Sequence, residues 1–234
     1  MELQVCNRIN TELQGDVVDR QPATPRPYQN QAIEECLKAY KTNDRATCVM
    51  ACGTGKTLIG LWVAERLRCQ KVLVLLPSLQ LLRQTLYDWL RDTSWPLPSF
   101  RCVCSDPTVT HGTDQEDKLR LSLVDMEFPV NTKSDEVREF LARTGAGIRI
   151  VFSTYDSAKV VAEAMQPGER FDLGIFDEAH HTAGLEGKRA AFALEDNNLP
   201  IEKDIINNNT NILYILNIPI FQYYSHFECR FLLA

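Results

Sequence analysis

The segment Gly53-Thr-Gly-Lys-Thr57 constrains this chain more than any other. It joins Ala46 to Met50, an apolar run that reads as a short buried strand, to a helical stretch reaching about Arg68. Glycine suits a turn in which φ is positive or the backbone must approach a ligand closely. A strand, a tight Gly-rich turn and a helix in that order aim successive backbone N–H groups and a helix N-terminus at one point. That arrangement holds a polyphosphate. In such a loop Lys56 reaches the β- and γ-phosphates and the Thr57 hydroxyl ligates Mg²⁺. The strict eight-residue pattern begins with Gly where this sequence has Met50. The strand–turn–helix context nonetheless favours phosphate binding over a chance Gly-rich turn.

The rest of the chain repeats the same alternation. A helical pattern runs from Tyr28 to Tyr40, after the Pro-rich run ending at Pro27. Lys71 to Leu76 is continuously apolar, as a strand buried on both faces requires. Ser78 to Arg91 is an amphipathic helix with Leu79, Leu82, Leu86 and Trp89 on one face. Phe100 to Cys104 reads as a strand and Ser105 to Thr132 as a polar, irregular excursion. Ser134 is expected to cap a helix carrying Val137, Phe140 and Leu141 inward. A strand at Ile148 to Ser153, a helix at Tyr155 to Met165 and a strand at Phe171 to Phe176 complete the pattern. Strands alternating with helices predict an α/β fold, a parallel sheet covered on both faces.

The last of these strands ends in two carboxylates, Asp177 and Glu178. In an open parallel sheet the carboxyl ends of the strands share one edge, so Asp177 is expected beside the phosphate loop. There it would hold Mg²⁺ through water while Glu178 orients and deprotonates an attacking water. An isolated Asp-Glu pair is ordinary loop chemistry, and His180 alone is an ordinary surface or packing histidine. The combination with the phosphate loop is what predicts ATP hydrolysis.

Composition sets the outer bounds. With 234 residues, 44% hydrophobic and 24% charged, the chain is neither collagen-like nor disordered nor a disulfide scaffold. No run of about 18 apolar residues suggests a membrane span, and no secretory signal opens the sequence, so the expected location is cytoplasmic. Eight Cys include no CxxC pair, and the four His lack zinc-knuckle spacing. The net charge of −6 conceals a basic stretch, Arg20 to Cys104, with 12 basic against 6 acidic residues. Such a stretch is compatible with a nucleic-acid-facing region, although charge blocks are more often solvated faces.

Met50-Ala-Cys-Gly-Thr-Gly-Lys-Thr57 and Asp177-Glu-Ala-His180 together resemble motifs I and II of superfamily-two DEAD/DEAH-box helicases. The sequence looks most similar to the motor subunits of type I and type III restriction enzymes, in which Met at the first position of the loop is common. The resemblance implies a RecA-like domain and the cofactors ATP and Mg²⁺. It makes Lys56, Asp177 and Glu178 catalytic, and gives Thr57 and Asp177 the metal. Gly53, Thr54, Gly55, Lys56 and Thr57 would surround the phosphates, and His180 would couple the site to movement. Arg26-Pro-Tyr-Gln29 resembles the adenine-recognition element, with Gln29 on the adenine edge and Arg26 and Tyr28 supporting it. Pro77 and Ser78 with Gln84 resemble motif Ia, and Ser153-Thr154 the next nucleic-acid contact; in the family such turns hold the phosphates of one strand without reading bases. The implied partner is nucleic acid, DNA in preference to RNA, with a separate second helicase lobe or restriction-modification subunits as further partners and no membrane.

The resemblance gives three parts: an amino-terminal extension at 1–24, an ATP-binding domain at 25–203 and an atypical tail at 204–234. After motif II the family continues to a strand bearing a Ser/Thr-Ala-Thr motif. Here the chain instead reads Asp204-Ile-Ile-Asn-Asn-Asn-Thr-Asn-Ile-Leu213. From Ile205 onward only Glu228 and Arg230 are charged. The expectation is a carboxyl-terminally truncated motor whose tail is unrelated or frame-shifted sequence, able still to pack as an edge strand or to bind a partner. Its ATPase would be weak, for want of the second lobe. Two alternatives stand beside this: another phosphate-loop NTPase, or an inactive fragment acting as a binding module.

Overall fold

The computed structural model describes residues 22–96, 98–104, 130–131, 133–143, 147–178, 210–218 and 231–232. In chain order these form α1 (Pro27–Ala39), β1 (Arg45–Ala51), α2 (Lys56–Arg66), β2 (Lys71–Leu76) and α3 (Leu79–Asp92). There follow β3 (Ser99–Val103), β4 (Val130–Asn131), α4 (Ser134–Ala142) and β5 (Arg149–Thr154). A 3₁₀ turn (Tyr155–Ser157), α5 (Ala158–Ala164), β6 (Leu173–Asp177), β7 (Asn211–Ile218) and β8 (Phe231–Leu232) complete the described chain. The strands make one sheet in the order β4-β3-β5-β2-β6-β7-β1-β8. Every pairing is parallel except that of β1 with β8. This is the expected α/β architecture.

Two apolar layers close over the sheet. On one face Met50, Val74, Phe152, Ile175 and Ile215 pack with residues of α1, α2 and α3, such as Ile33, Ile59 and Trp89. On the other, Leu73, Val151, Phe176 and Ile212 pack with Val137, Phe140, Val161 and Phe171 from the side of α4 and α5. Strand residues alternate between the two layers because successive side chains point to opposite faces. The inner strands are accordingly apolar along most of their length, and every residue of β6 is buried. Among the described residues, no helix is long and apolar enough to cross a membrane.

The structure corrects three sequence expectations. Ser134 is the first helical residue of α4, and the N-cap position belongs to Lys133, which makes no side-chain capping bond. The helix expected from Tyr155 begins instead as a 3₁₀ turn, with α5 starting at Ala158. The largest correction concerns the tail. Asn211–Ile218 is an interior strand, with β6 on one side and β1 on the other. Ile212 and Leu213 are fully buried, and the Tyr40 hydroxyl donates to the Ile212 carbonyl at 2.9 Å. Low charge in this stretch follows from its position: a parallel strand covered on both faces has no surface on which to carry charge.

Candidate functional site: a phosphate loop and an acidic pair on one sheet edge

The loop after β1 has the conformation that its glycines permit. Gly53 and Gly55 both have φ of 75°, in the left-handed region. A Cβ on Gly55 would lie 2.7 Å from Gln29 Nε2, so both the φ and the space demand glycine there. Gly55 is also the N-cap of α2, its carbonyl accepting from the Leu58 N–H at 3.2 Å, and the first N–H groups of a helix have no partner within its regular bonding ladder. Within the loop, Thr54 Oγ1 donates to the Ala51 carbonyl at 2.7 Å, and Lys56 Nζ donates to the same oxygen at 2.9 Å. Lys56, only 8% exposed as a residue, thereby folds its ammonium into the loop that it closes. Trp89 Nε1 donates to the Thr57 carbonyl at 2.9 Å, so α3 pins the start of α2.

Gln29, Tyr28 and Arg26 converge on this loop rather than standing apart from it. Gln29 Nε2 and the Tyr28 hydroxyl donate to the Thr54 carbonyl at 2.9 and 3.1 Å. Gln29 Oε1 accepts from the Arg26 backbone N–H at 2.8 Å, and an Arg26 guanidinium nitrogen lies 3.3 Å from the Tyr28 hydroxyl. Gln29 is buried, and both ends of its amide are committed to backbone groups. It holds the phosphate loop in shape, while Arg26 stays exposed at the margin.

The acidic pair arrives on the same edge. Asp177 pairs in register with Ile215 of β7, and Ile215 with Cys48 of β1. The two functional strands therefore flank β7, roughly 10 Å apart at two strand spacings, with their carboxyl ends pointing the same way. Asp177 is 8% exposed, and one of its carboxylate oxygens accepts from the Glu178 N–H at 3.0 Å. Glu178 has φ of 52°, a left-handed conformation that costs a non-glycine residue on the order of 1–3 kcal/mol. The turn holding it includes Tyr155, whose hydroxyl donates to the Asp177 carbonyl at 2.7 Å. Burial, followed by the charges of Asp177 and Glu178 and by Tyr214, pushes the Tyr155 phenol well above its ordinary range, so it remains a neutral donor. Gly60 lets α2 approach β6: a Cβ there would lie 3.1 Å from Ile175 Cδ1.

The other expected residues are distributed unevenly. Pro77 is half-buried, and Ser78 and Gln84 are exposed at the start and on the outer face of α3. The Ser78 hydroxyl caps α3 by accepting from the Leu81 N–H at 3.3 Å. Ser153 is fully buried and donates to the Thr154 carbonyl, so its own hydroxyl has no surface with which to meet a polymer. Thr154 is 7% exposed and donates to the Ser157 hydroxyl at 3.1 Å. His180 lies outside the described residues. Sequence reasoning gave no role to Tyr155, although it stands inside the Ser153-Thr-Tyr-Asp156 segment; only the contact across to β6 reveals it.

Among the described residues, no cluster of three His, Cys, Asp or Glu side chains stands ready for a cation. The groups found at the carboxyl ends of β1 and β6 are backbone N–H groups, the Lys56 ammonium, the Thr57 hydroxyl and the Asp177 carboxylate. That set fits a divalent ion that arrives bound to phosphates, since Mg²⁺ takes one or two carboxylates and fills its shell from substrate and water. Fold and site together define a RecA-like phosphate-loop domain of the helicase-motor class.

Residues 23–208 match the family described as "Type III restriction enzyme, res subunit", and the chain belongs to that family. It is 30% identical over 161 residues to a probable helicase of African swine fever virus, covering 68% of this chain and 16% of the viral protein. Its fold is similar to that of the ATP-dependent type ISP restriction-modification enzyme LlaBIII bound to DNA, with a TM-score of 0.64 and 32% identity. That match covers 86% of this chain and 13% of LlaBIII. A nuclease-deletion mutant of the type ISP enzyme LlaGI, in complex with a DNA substrate mimic, gives a TM-score of 0.59 at 32% identity, over 84% of this chain and 18% of that one. The chain thus spans under a fifth of the length of these relatives, and within them it corresponds to the helicase motor lobe.

Proposed function

We propose that this chain binds Mg-ATP on the edge formed by β1 and β6 and hydrolyses it in response to DNA. The observation that carries the reading is the convergence of the Gly53–Thr57 loop with Asp177 and Glu178 on one sheet edge. Lys56 and the N–H groups at the start of α2 bind and orient the β- and γ-phosphates. Thr57 and Asp177 hold Mg²⁺, which when bound neutralises phosphate charge. Glu178 takes the proton of the attacking water, and its backbone turn fixes where its carboxylate can reach. Arg26 and Tyr28 lie at the margin where the adenine would sit, with Gln29 tying that margin to the loop. The exposed Ser78 and Gln84 and the turn around Thr154 serve as contacts to one strand's phosphates, a mode that carries no base information. The choice of DNA over RNA rests on the DNA-bound relatives. A second motor lobe or other restriction-modification subunits would supply what a single lobe lacks. An arginine donated from such a lobe adds about 10³–10⁵ in turnover in related phosphoryl-transfer systems.

Two measurements test the reading. Lys56→Ala should weaken binding of a fluorescent ATP analogue by roughly 10- to 100-fold, the worth of a charged hydrogen bond; equal binding would remove the nucleotide site. ATP hydrolysis measured with no polymer, single-stranded DNA, duplex DNA and RNA at fixed salt should rise with DNA. Polymer-independent hydrolysis would favour a phosphate-loop NTPase of another kind.

A further inference from the structure

Tyr155 bonds between two strands that are not neighbours in the sheet. It opens the 3₁₀ turn after β5, beside Thr154, and reaches past β2 to the end of β6. Its hydroxyl donates to the carbonyl of Asp177, the peptide unit that links Asp177 to Glu178. Its ring packs against Phe176 with centroids 6.4 Å apart, and Phe176 packs in turn against Tyr214 at 5.5 Å. Glu178 is held in a left-handed conformation, a state that persists only when its surroundings over-determine it. The bond to the Asp177 carbonyl fixes the plane of that peptide and so contributes directly to the constraint.

We propose that Tyr155 is a positioning residue for the acidic pair, whose hydroxyl holds the Asp177–Glu178 peptide so that the Asp177 carboxylate meets the divalent ion of a bound nucleotide. This rests on the nucleotide-binding reading above. Tyr155 acts through the backbone of Asp177, by way of the bond to its carbonyl. The phosphate loop itself is shaped by Gln29, Tyr28, Thr54 and Trp89, none of which bonds to Tyr155. Loss of the phenol should therefore affect the metal-dependent part of nucleotide binding and leave the phosphate-loop part alone.

The test uses the full 234-residue chain and a fluorescent ATP analogue titrated with and without Mg²⁺. Tyr155→Phe keeps the ring and removes the bond. Tyr40→Phe is the matched control, because it removes a similar phenol-to-carbonyl bond, to Ile212, away from the acidic pair. Tyr155→Phe should bind the analogue without Mg²⁺ as the parent does, and should lose about three- to tenfold of the affinity that Mg²⁺ adds, the range expected for one hydrogen bond. Tyr40→Phe should retain the full magnesium gain. An unchanged magnesium gain in Tyr155→Phe would overturn the proposal, as would an equal loss with and without the ion or the same loss in both variants. If the parent chain binds the analogue under neither condition, the nucleotide-binding reading falls, and this inference with it.

Discussion

Gly55 shows how a single position can be fixed twice. Its φ of 75° excludes an unstrained side chain, and Gln29 Nε2 occupies the space that a Cβ would take. Gly53 has the same φ but no atom within 4 Å of its would-be Cβ, so only conformation holds it to glycine. Alanine at Gly55 must pay the left-handed cost and displace an amide that also shapes the loop through Thr54. Gly55→Ala should lower stability by about 1–3 kcal/mol, read from urea unfolding, and weaken nucleotide binding more than Gly53→Ala does. Equal effects at the two glycines would show that the Gln29 contact is unimportant.

At the scale of elements, β7 changes what the carboxyl-terminal region means. The family match ends at residue 208, three residues before the strand begins. Yet β7 supplies the hydrogen-bonding partner of both the phosphate-loop strand and the acidic-box strand. Its end, at Asn217 and Ile218, pairs with Met50 and Ala51 immediately before the loop. The spacing between the ends of β1 and β6 is therefore set by a segment that lies beyond the family match. Leu213 is fully buried against the α1–α3 face. Leu213→Ala should cost about 2–5 kcal/mol, as large-to-small changes in a packed core do. Denaturant unfolding would check it, and a loss under about 0.5 kcal/mol, the size of a surface substitution, would place β7 outside the cooperative core.

Across the whole molecule the buried thiols give the core a signature in pH. Burial pushes Cys36, Cys69 and Cys104 from an ordinary value of 9.0 up to about 12. Below pH 9 folded and unfolded chains both keep these protons. Between pH 9 and about 12 the unfolded chain loses them first, so unfolding releases protons and stability falls as pH rises. The slope reaches at most about 1.4 kcal/mol per pH unit for each thiol. Urea unfolding at pH 8 and pH 10 should show the decline, and Cys36→Ala should reduce it. An identical slope in that variant would locate the effect elsewhere.

The sequence by itself determined the strand–turn–helix unit, the acidic pair at the end of a strand and the helical layers on both faces of the sheet. Gly53, Gly55, Lys56 and the Asp177–Glu178 pair are local signals, because turn conformation and a strand's exit depend on residues adjacent in the chain. The buried strands were legible for the same reason: a run such as Val72 to Leu76 is apolar throughout only when both faces are covered. Position 211–218 was not legible, because Asn211-Ile-Leu-Tyr-Ile-Leu-Asn-Ile218 suits an edge or an interior strand equally well. Which of these it becomes depends on an unfilled place between β1 and β6, a fact about distant partners. Tyr155 was hidden likewise, since the carbonyl that it grips lies 22 residues away on another strand. Hydrogen bonds between elements are chosen when the sheet assembles, so only the tertiary structure decided that the acidic pair is held from β5 and spaced from the phosphate loop by β7.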